Sequence, residues 1–199
     1  MRYISWSQFW LYSKSPRMYF EQYVLGLRPE PTKKMVFGSI FSKAYENRHN
    51  GRYDPYKELK ERGFTADYER VLRSALSQLP PLEGEECEKT FEIENKPLNL
   101  LGKFDGVIES KNLIIENKTG ATWTQERADT APQLTFYALV YYLATGRNPR
   151  MVLNSVRQSD GKVFSFKTKR TVEQMKELKK VIDDVADRIK RGVWSGKTG

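Results

Sequence analysis

Two acids and a lysine stand close together in LLGKFDGVIESKNLIIENKTG, residues 100–120: Asp105, Glu116 and Lys118. Alternation and β-favouring residues predict strands over Leu101 to Ile108 and Asn112 to Lys118, with Glu109, Ser110 and Lys111 as the hairpin turn. A loop centred between Ser110 and Lys111 sets Ile108 against Leu113, Val107 against Ile114 and Asp105 against Glu116. Directly opposed side chains lie about 5 Å apart, and like charges there destabilise a sheet. A hard divalent cation, Mg²⁺ or Mn²⁺, would offset that repulsion, since both favour carboxylate oxygens. Lys118, two residues past Glu116, returns to the carboxylate face, while Phe104, Ile108, Leu113 and Ile115 are expected on the other, apolar face. Spacing alone leaves a second reading open, a solvated charge cluster that Lys118 or Lys103 neutralises.

The elements needed to position these residues are legible on both sides. Ser5 with Gln8 is a capping-box pattern that starts a helix, and Pro16 starts a second short one. The aromatics Trp6, Phe9, Trp10, Tyr12, Tyr19, Phe20 and Tyr23 have helical spacing and read as core, with a base-lining groove as the other option. Gly38 to His49 reads as a helix with Ser42 and Glu46 one turn apart; His49, the only histidine, reads as a favourable partner for the helix C-terminus. Residues 53–79 read as charged helix, followed by a strand over Lys89 to Glu94. After the hairpin come a polar loop and a helix that begins at Thr130 and Pro132 and stops at Gly146. Gln133 and Tyr137 are i and i+4 on it, placing an amide beside a phenol. Strands over Met151 to Gln158 and Val163 to Thr168 lead to a final helix capped by Thr171 and Gln174, with the apolar stripe Met175, Leu178, Ile182, Val185 and Ile189. Helices, strands, helix, strands and helix in this order describe an α/β sandwich with a mixed central sheet.

The 199 residues, 39% hydrophobic, suffice for one sizeable core, so 1–199 reads as one domain, with 1–80 a mainly helical entry region and 85–199 the sheet core. A net charge of +9 favours a polyanionic partner. Lys14, Arg17 and Lys103 are the candidate phosphate contacts. The single cysteine, Cys87, excludes an internal disulfide and any site built from several thiolates, and fits a reducing compartment. No run suits a membrane span or the core of a signal peptide, so a soluble, cytoplasmic protein is expected.

GKFDGV, IIENKTG and QLTFY, in that order, resemble the PD-(D/E)xK nuclease superfamily, specifically its RecB-like branch, which includes the CRISPR adaptation nucleases. The stretch ISWSQFWLYSKSPRMYFEQYVLGL is similar to the entry helices of that branch. The resemblance implies a restriction-endonuclease-like α/β core and a metal-dependent DNA exonuclease in recombination, repair or processing. It further implies Mg²⁺ or Mn²⁺ held by Asp105, Glu116 and the backbone carbonyl of Asn117, with Lys118, Gln133 and Tyr137 completing the catalytic set. The expected partners are single-stranded DNA or duplex ends, and recombination or replication proteins. Two departures stand out. The branch has a histidine four residues after the helix glycine, where this chain has Ser42, leaving Glu46 to reach the metal directly or through water. Ser15-Pro16 replaces the Cys-Pro of iron–sulfur members, and one cysteine cannot hold a cluster. The competing reading is a weakened nuclease fold kept as a nucleic-acid-binding or assembly module.

Overall fold

The computed structural model describes residues 2–48, 51–120 and 122–195. It opens with a strand too short to leave a pattern in the sequence, β1 (Tyr3–Ser5). Ser5 then caps α1 (Trp6–Lys14) through the expected reciprocal box, its own N–H donating to Gln8 Oε1 at 2.8 Å. Pro16 starts α2 (Pro16–Tyr19), which continues into a π-helical turn at Phe20–Val24. Helix α3 (Lys33–Asn47) begins five residues before the expected Gly38, because Thr32 caps it. His49, the predicted end, lies outside the described residues. The charged region forms α4 (Pro55–Glu61) and α5 (Ala66–Ser77).

Strand β2 (Glu86–Ile93) starts three residues earlier than expected and pairs antiparallel with β3 (Asn99–Ile108). The chain then reverses through a 3-10 turn at Glu109–Lys111 and Asn112, whose φ of 51° is tolerated by asparagine, so that β4 begins at Leu113 and runs to Gly120. Ile108 faces Leu113 and Val107 faces Ile114, as expected, and the pairing ends at Gly106 and Ile115. The predicted polar loop contains a helix, α6 (Gln125–Thr130), capped by Thr124. Thr130 therefore ends α6, and α7 (Pro132–Thr145) starts from Ala131, stopping at Gly146 with φ 71°. β5 (Arg150–Arg157), β6 (Val163–Lys169) and α8 (Val172–Lys190) complete the chain, α8 with the expected Thr171–Gln174 box.

The sheet order is β1-β3-β4-β5-β6, with β2 also on β3. It is mixed: β1 with β3 and β4 with β5 are parallel, the rest antiparallel. Because β2 runs along Leu100–Val107 of β3, β1 at Asn99–Leu101 and β4 at Gly106–Ile108 must share the opposite edge. Among the described residues, 102–105 of that edge have no strand partner.

Helices cover both faces. α1, α2, α7 and α8 bury Phe9, Tyr12, Phe136 and Ile182 against Val107 and Ile114, whereas α3, α4 and α5 bury Phe41, Leu59 and Leu72 against Ile108 and Ile115. The expected face of the hairpin needs one correction: Phe104 packs with Val107 and Ile114, not with Ile108 and Ile115. β3 changes face between Phe104 and Val107, beside Glu88 on β2, whose φ is 55°. The α8 stripe is core as predicted, with Leu178 only partly buried. Among the described residues no helix is long and apolar enough to cross a membrane.

Candidate active site

Strand alternation on β4 points Ile114, Glu116 and Lys118 toward α7 and Ile115, Asn117 and Thr119 toward α3. Lys118 Nζ lies 2.6 Å from Glu116 Oε1. The same oxygen accepts from Gln133 Nε2 at 3.1 Å, and Gln133 also donates to the Tyr137 hydroxyl at 3.0 Å. One turn of α7 thus fixes an amide and a phenol against a carboxylate that is only 3% exposed. Where the β3–β4 ladder stops, the Asp105 carboxylate accepts the Asn117 N–H at 2.7 Å. The structure therefore brings Asp105, Glu116, Lys118, Gln133 and Tyr137 together.

The electrostatics of this cluster are those of like charges confined together. Burial pushes the Asp105 carboxyl well above the usual range, the Glu116 charge pushes the same way, and the Asn117 N–H and Lys118 pull back. Burial also raises Glu116, against Lys118. Burial opposes the charge on Lys118, but the ion pair and hydrogen bond with Glu116 together with the Asp105 charge raise the ammonium. Tyr137 is held far above its normal value by burial and then by Glu116.

The donor set suits a hard divalent cation. Glu116 Oε2 is buried without a hydrogen-bond partner, beside a second carboxylate. A buried carboxylate oxygen without a partner is costly. Mg²⁺ needs only one or two carboxylates, taking the rest of its shell from water and substrate. Among the described residues no three His, Cys, Asp or Glu side chains are grouped to hold a metal, so the side chains gathered here offer two carboxylates, those of Asp105 and Glu116.

On the other face, Asn117 Oδ1 accepts from Asn154 Nδ2 at 2.9 Å, directly across the β4–β5 ladder, and Asn154 accepts from Ser165 at 2.7 Å. A Cβ on Gly38 would sit 3.1 Å from Thr119 Oγ1, so the glycine lets α3 approach β4 closely. Ser42, one turn further, is half-buried. Glu46 is exposed, and its resolved influence falls on Lys103 and Cys87.

The proposed phosphate contacts divide. Lys103 pairs with Glu88 close to the cluster. Arg17 is instead paired with Glu21, 3.0 Å away on its own helix, and Lys14 is an exposed cation in the last turn of α1. Three further residues escaped sequence reasoning. Glu88 adds negative potential to Asp105 and Glu116. Buried Glu85, paired at 2.5 Å with Arg48, lies against Gly106, where a Cβ would stand 2.6 Å from its Oε1. Arg170, 1% exposed, donates to the carbonyls of Ala128 and Ala131 and to Thr135 Oγ1, locking the α6–α7 junction that carries Gln133. None of these has a local pattern. A lone arginine or glutamate in sequence is normally a surface residue.

Comparison with known proteins finds a family model, the PD-(D/E)XK nuclease superfamily, matching residues 3–198. No curated protein matches the chain. Among solved structures, a protein of Eubacterium rectale provisionally named an exonuclease is 13% identical, covering 100% of this chain and 83% of its own, at a TM-score of 0.69. An alkaline exonuclease from Laribacter hongkongensis is 16% identical over 81% of this chain and 84% of that one, at 0.43. A phage-related exonuclease from Haemophilus somnus is 12% identical over 83% and 89%, at 0.42. At these identities the likeness concerns the fold.

Proposed function

The chain belongs to the PD-(D/E)XK nuclease superfamily, and on that premise we propose that it is a divalent-metal-dependent DNA nuclease, an exonuclease hydrolysing phosphodiester bonds at strand ends. The observation that carries the metal reading is the buried, unpartnered Glu116 Oε2 beside the half-buried Asp105. Asp105, Glu116 and the Asn117 carbonyl would hold Mg²⁺ or Mn²⁺, which when bound polarises the phosphoryl oxygen, acidifies water and neutralises charge in the in-line displacement.

The chain's own residues supply the rest. Lys118, fixed by Glu116, is the group placed to orient the attacking water and accept its proton. For that role it must be neutral, whereas the pair with Glu116 favours the ammonium, so Glu116 governs when Lys118 can take a proton. Gln133 holds the Glu116 carboxylate in one rotamer and couples it to Tyr137. The excess of 34 Lys and Arg over 25 Asp and Glu supports a polyanionic substrate. The Gln133–Tyr137 pair supports placement in the RecB-like branch, and two cores sharing one sheet support a single domain.

Calorimetric titration of Mn²⁺ into the wild type, Asp105→Ala and Glu116→Ala, run beside cleavage of labelled linear and circular DNA, tests this reading. Metal binding and end-dependent cleavage in the wild type alone are expected. Equal metal binding in all three proteins would remove the metal site. A wild type that binds DNA without cutting it would instead favour a nucleic-acid-binding module.

A further inference from the structure

The bare edge of β3 does not face a packed wall. It borders a cavity of about 350 Å³ whose lining includes Tyr3, Trp6, Tyr23, Arg28, Lys103 and Tyr137. That volume is within the roughly 300–1,000 Å³ of small-ligand sites. Tyr137 joins the cavity to the catalytic cluster, since the same Gln133 amide donates to its hydroxyl and to Glu116. Whatever occupies the cavity is therefore a direct neighbour of the reacting group.

Its chemistry is narrow. The lining contains three aromatic rings besides the hydrogen-bonded Tyr137, two cations and no acid. Two of the rings are fixed by their neighbours: Tyr23 stacks on Tyr19 at 5.2 Å, and Trp6 on Trp10 at 5.8 Å, with Trp10 half exposed. Arg28 lies over Tyr23, 5.1 Å from the ring centroid, and sets a planar cation against that ring at the cavity wall. Lys103 is already paired with Glu88, so Arg28 is the cation whose charge faces the cavity without a carboxylate partner among the described residues. Flat rings accept a base of any sequence, and guanidinium both stacks and binds phosphate. A paired base, stacked on both sides within a duplex, could not enter.

We propose that this cavity takes one unpaired nucleotide of the substrate strand, its base against Tyr3, Trp6 and Tyr23 and a backbone phosphate on Arg28, so that the enzyme acts on single-stranded or frayed DNA ends. The inference rests on the nuclease reading and names its substrate class.

The test measures binding in chelator, where no cleavage occurs. Fluorescence anisotropy follows a labelled ten-thymidine strand and the same strand with an abasic terminal nucleotide. Tyr3→Ala and Tyr23→Ala should each weaken binding of the intact strand roughly five- to hundredfold and leave the abasic strand unchanged. Tyr23→Phe, which keeps the ring, should bind as the wild type does. Arg28→Gln should weaken both strands equally and flatten the salt dependence by roughly one phosphate contact. A blunt duplex should compete poorly. If neither alanine variant folds, quenching of a terminal 2-aminopurine by the wild type, absent for an internal one, reads the same stacking. Equal losses for intact and abasic strands, no loss in either, or equal competition by blunt duplex would overturn the inference. Asp105-dependent cleavage that persists with unaltered Tyr23→Ala binding would sink only this proposal. Base-dependent binding without any cleavage would sink only the nuclease reading.

Discussion

Replacing Asp105 with asparagine should stabilise the metal-free protein. The substitution removes one of two crowded charges yet keeps an oxygen to accept the Asn117 N–H, now at 2.7 Å from the carboxylate. At a pH high enough to ionise both carboxylates, unit charges roughly one strand spacing apart, about 5 Å, repel by roughly 3 kcal/mol at an effective dielectric of about 20, whereas like charges on neighbouring strands in proteins cost up to about 1 kcal/mol. Attraction to Lys118 returns part of this, leaving a net gain of about 1–2 kcal/mol. For a chain of this size that corresponds to a Tm increase of about 2–8 °C. Glu116→Gln should give no such gain, because it also breaks the 2.6 Å pair with Lys118. Thermal unfolding in EDTA and in excess Mn²⁺ checks both halves. Wild type should gain about 2.7 kcal/mol at a hundredfold excess over Kd, and Asp105→Asn should gain little. An Asp105→Asn protein less stable than wild type in EDTA would refute the reasoning, since it would mean that the carboxylate is compensated without metal.

Lys118→Ala should lower cleavage by about 10²–10⁴-fold while leaving DNA affinity within a few fold, read by single-turnover assays beside anisotropy; normal cleavage would reduce Lys118 to a counter-charge. Ser42→His should tighten Mn²⁺ binding and raise activity at low Mn²⁺, because imidazole is a far better ligand than a hydroxyl, whereas Glu46→Ala should change neither. The opposite ranking would place Glu46, rather than position 42, at the metal. Arg170→Met should cost roughly 3–5 kcal/mol by stranding the Ala128 and Ala131 carbonyls, lowering Tm by about 6–20 °C.

The parts of this site that could be read beforehand are those where one period or one short motif decides the geometry. Hairpin register follows from turn centre and alternation, and the i, i+4 relation of Gln133 and Tyr137 follows from the helix itself. Three-residue β1 carries no period, and α6 is a six-residue helix whose only cue is Thr124 before a charged run. Alternation assigns Phe104 to the opposite face because it assumes an undistorted strand, whereas β2 is distorted at Glu88 opposite this point. The roles of Glu85 and Arg170 depend on burial created by distant segments, 37 residues away in the Arg48–Glu85 case. The Arg17–Glu21 pair is itself legible in the sequence, since Glu21 stands at i+4, the spacing at which a helix pairs opposite charges.

The same edge that holds the metal-binding candidates also explains why they tolerate each other. An unbroken ladder would continue past Gly106 and Ile115, and neighbouring strands would supply the next acceptor for an exposed N–H. Here the ladder stops, and the acceptor for the Asn117 N–H is a side chain, Asp105. The carboxylate thus substitutes for a sheet hydrogen bond, which ties its position to the fold even while its charge works against Glu116. β1 resumes the edge at Leu101, too far along β3 to close the gap. Lengthening β1 by pairing it with residues 102–105 would satisfy more backbone groups, but it would fill the cavity and shield the carboxylates from any strand. The missing pairs leave Asp105 on an open stretch of β3 that the flanking cavity borders.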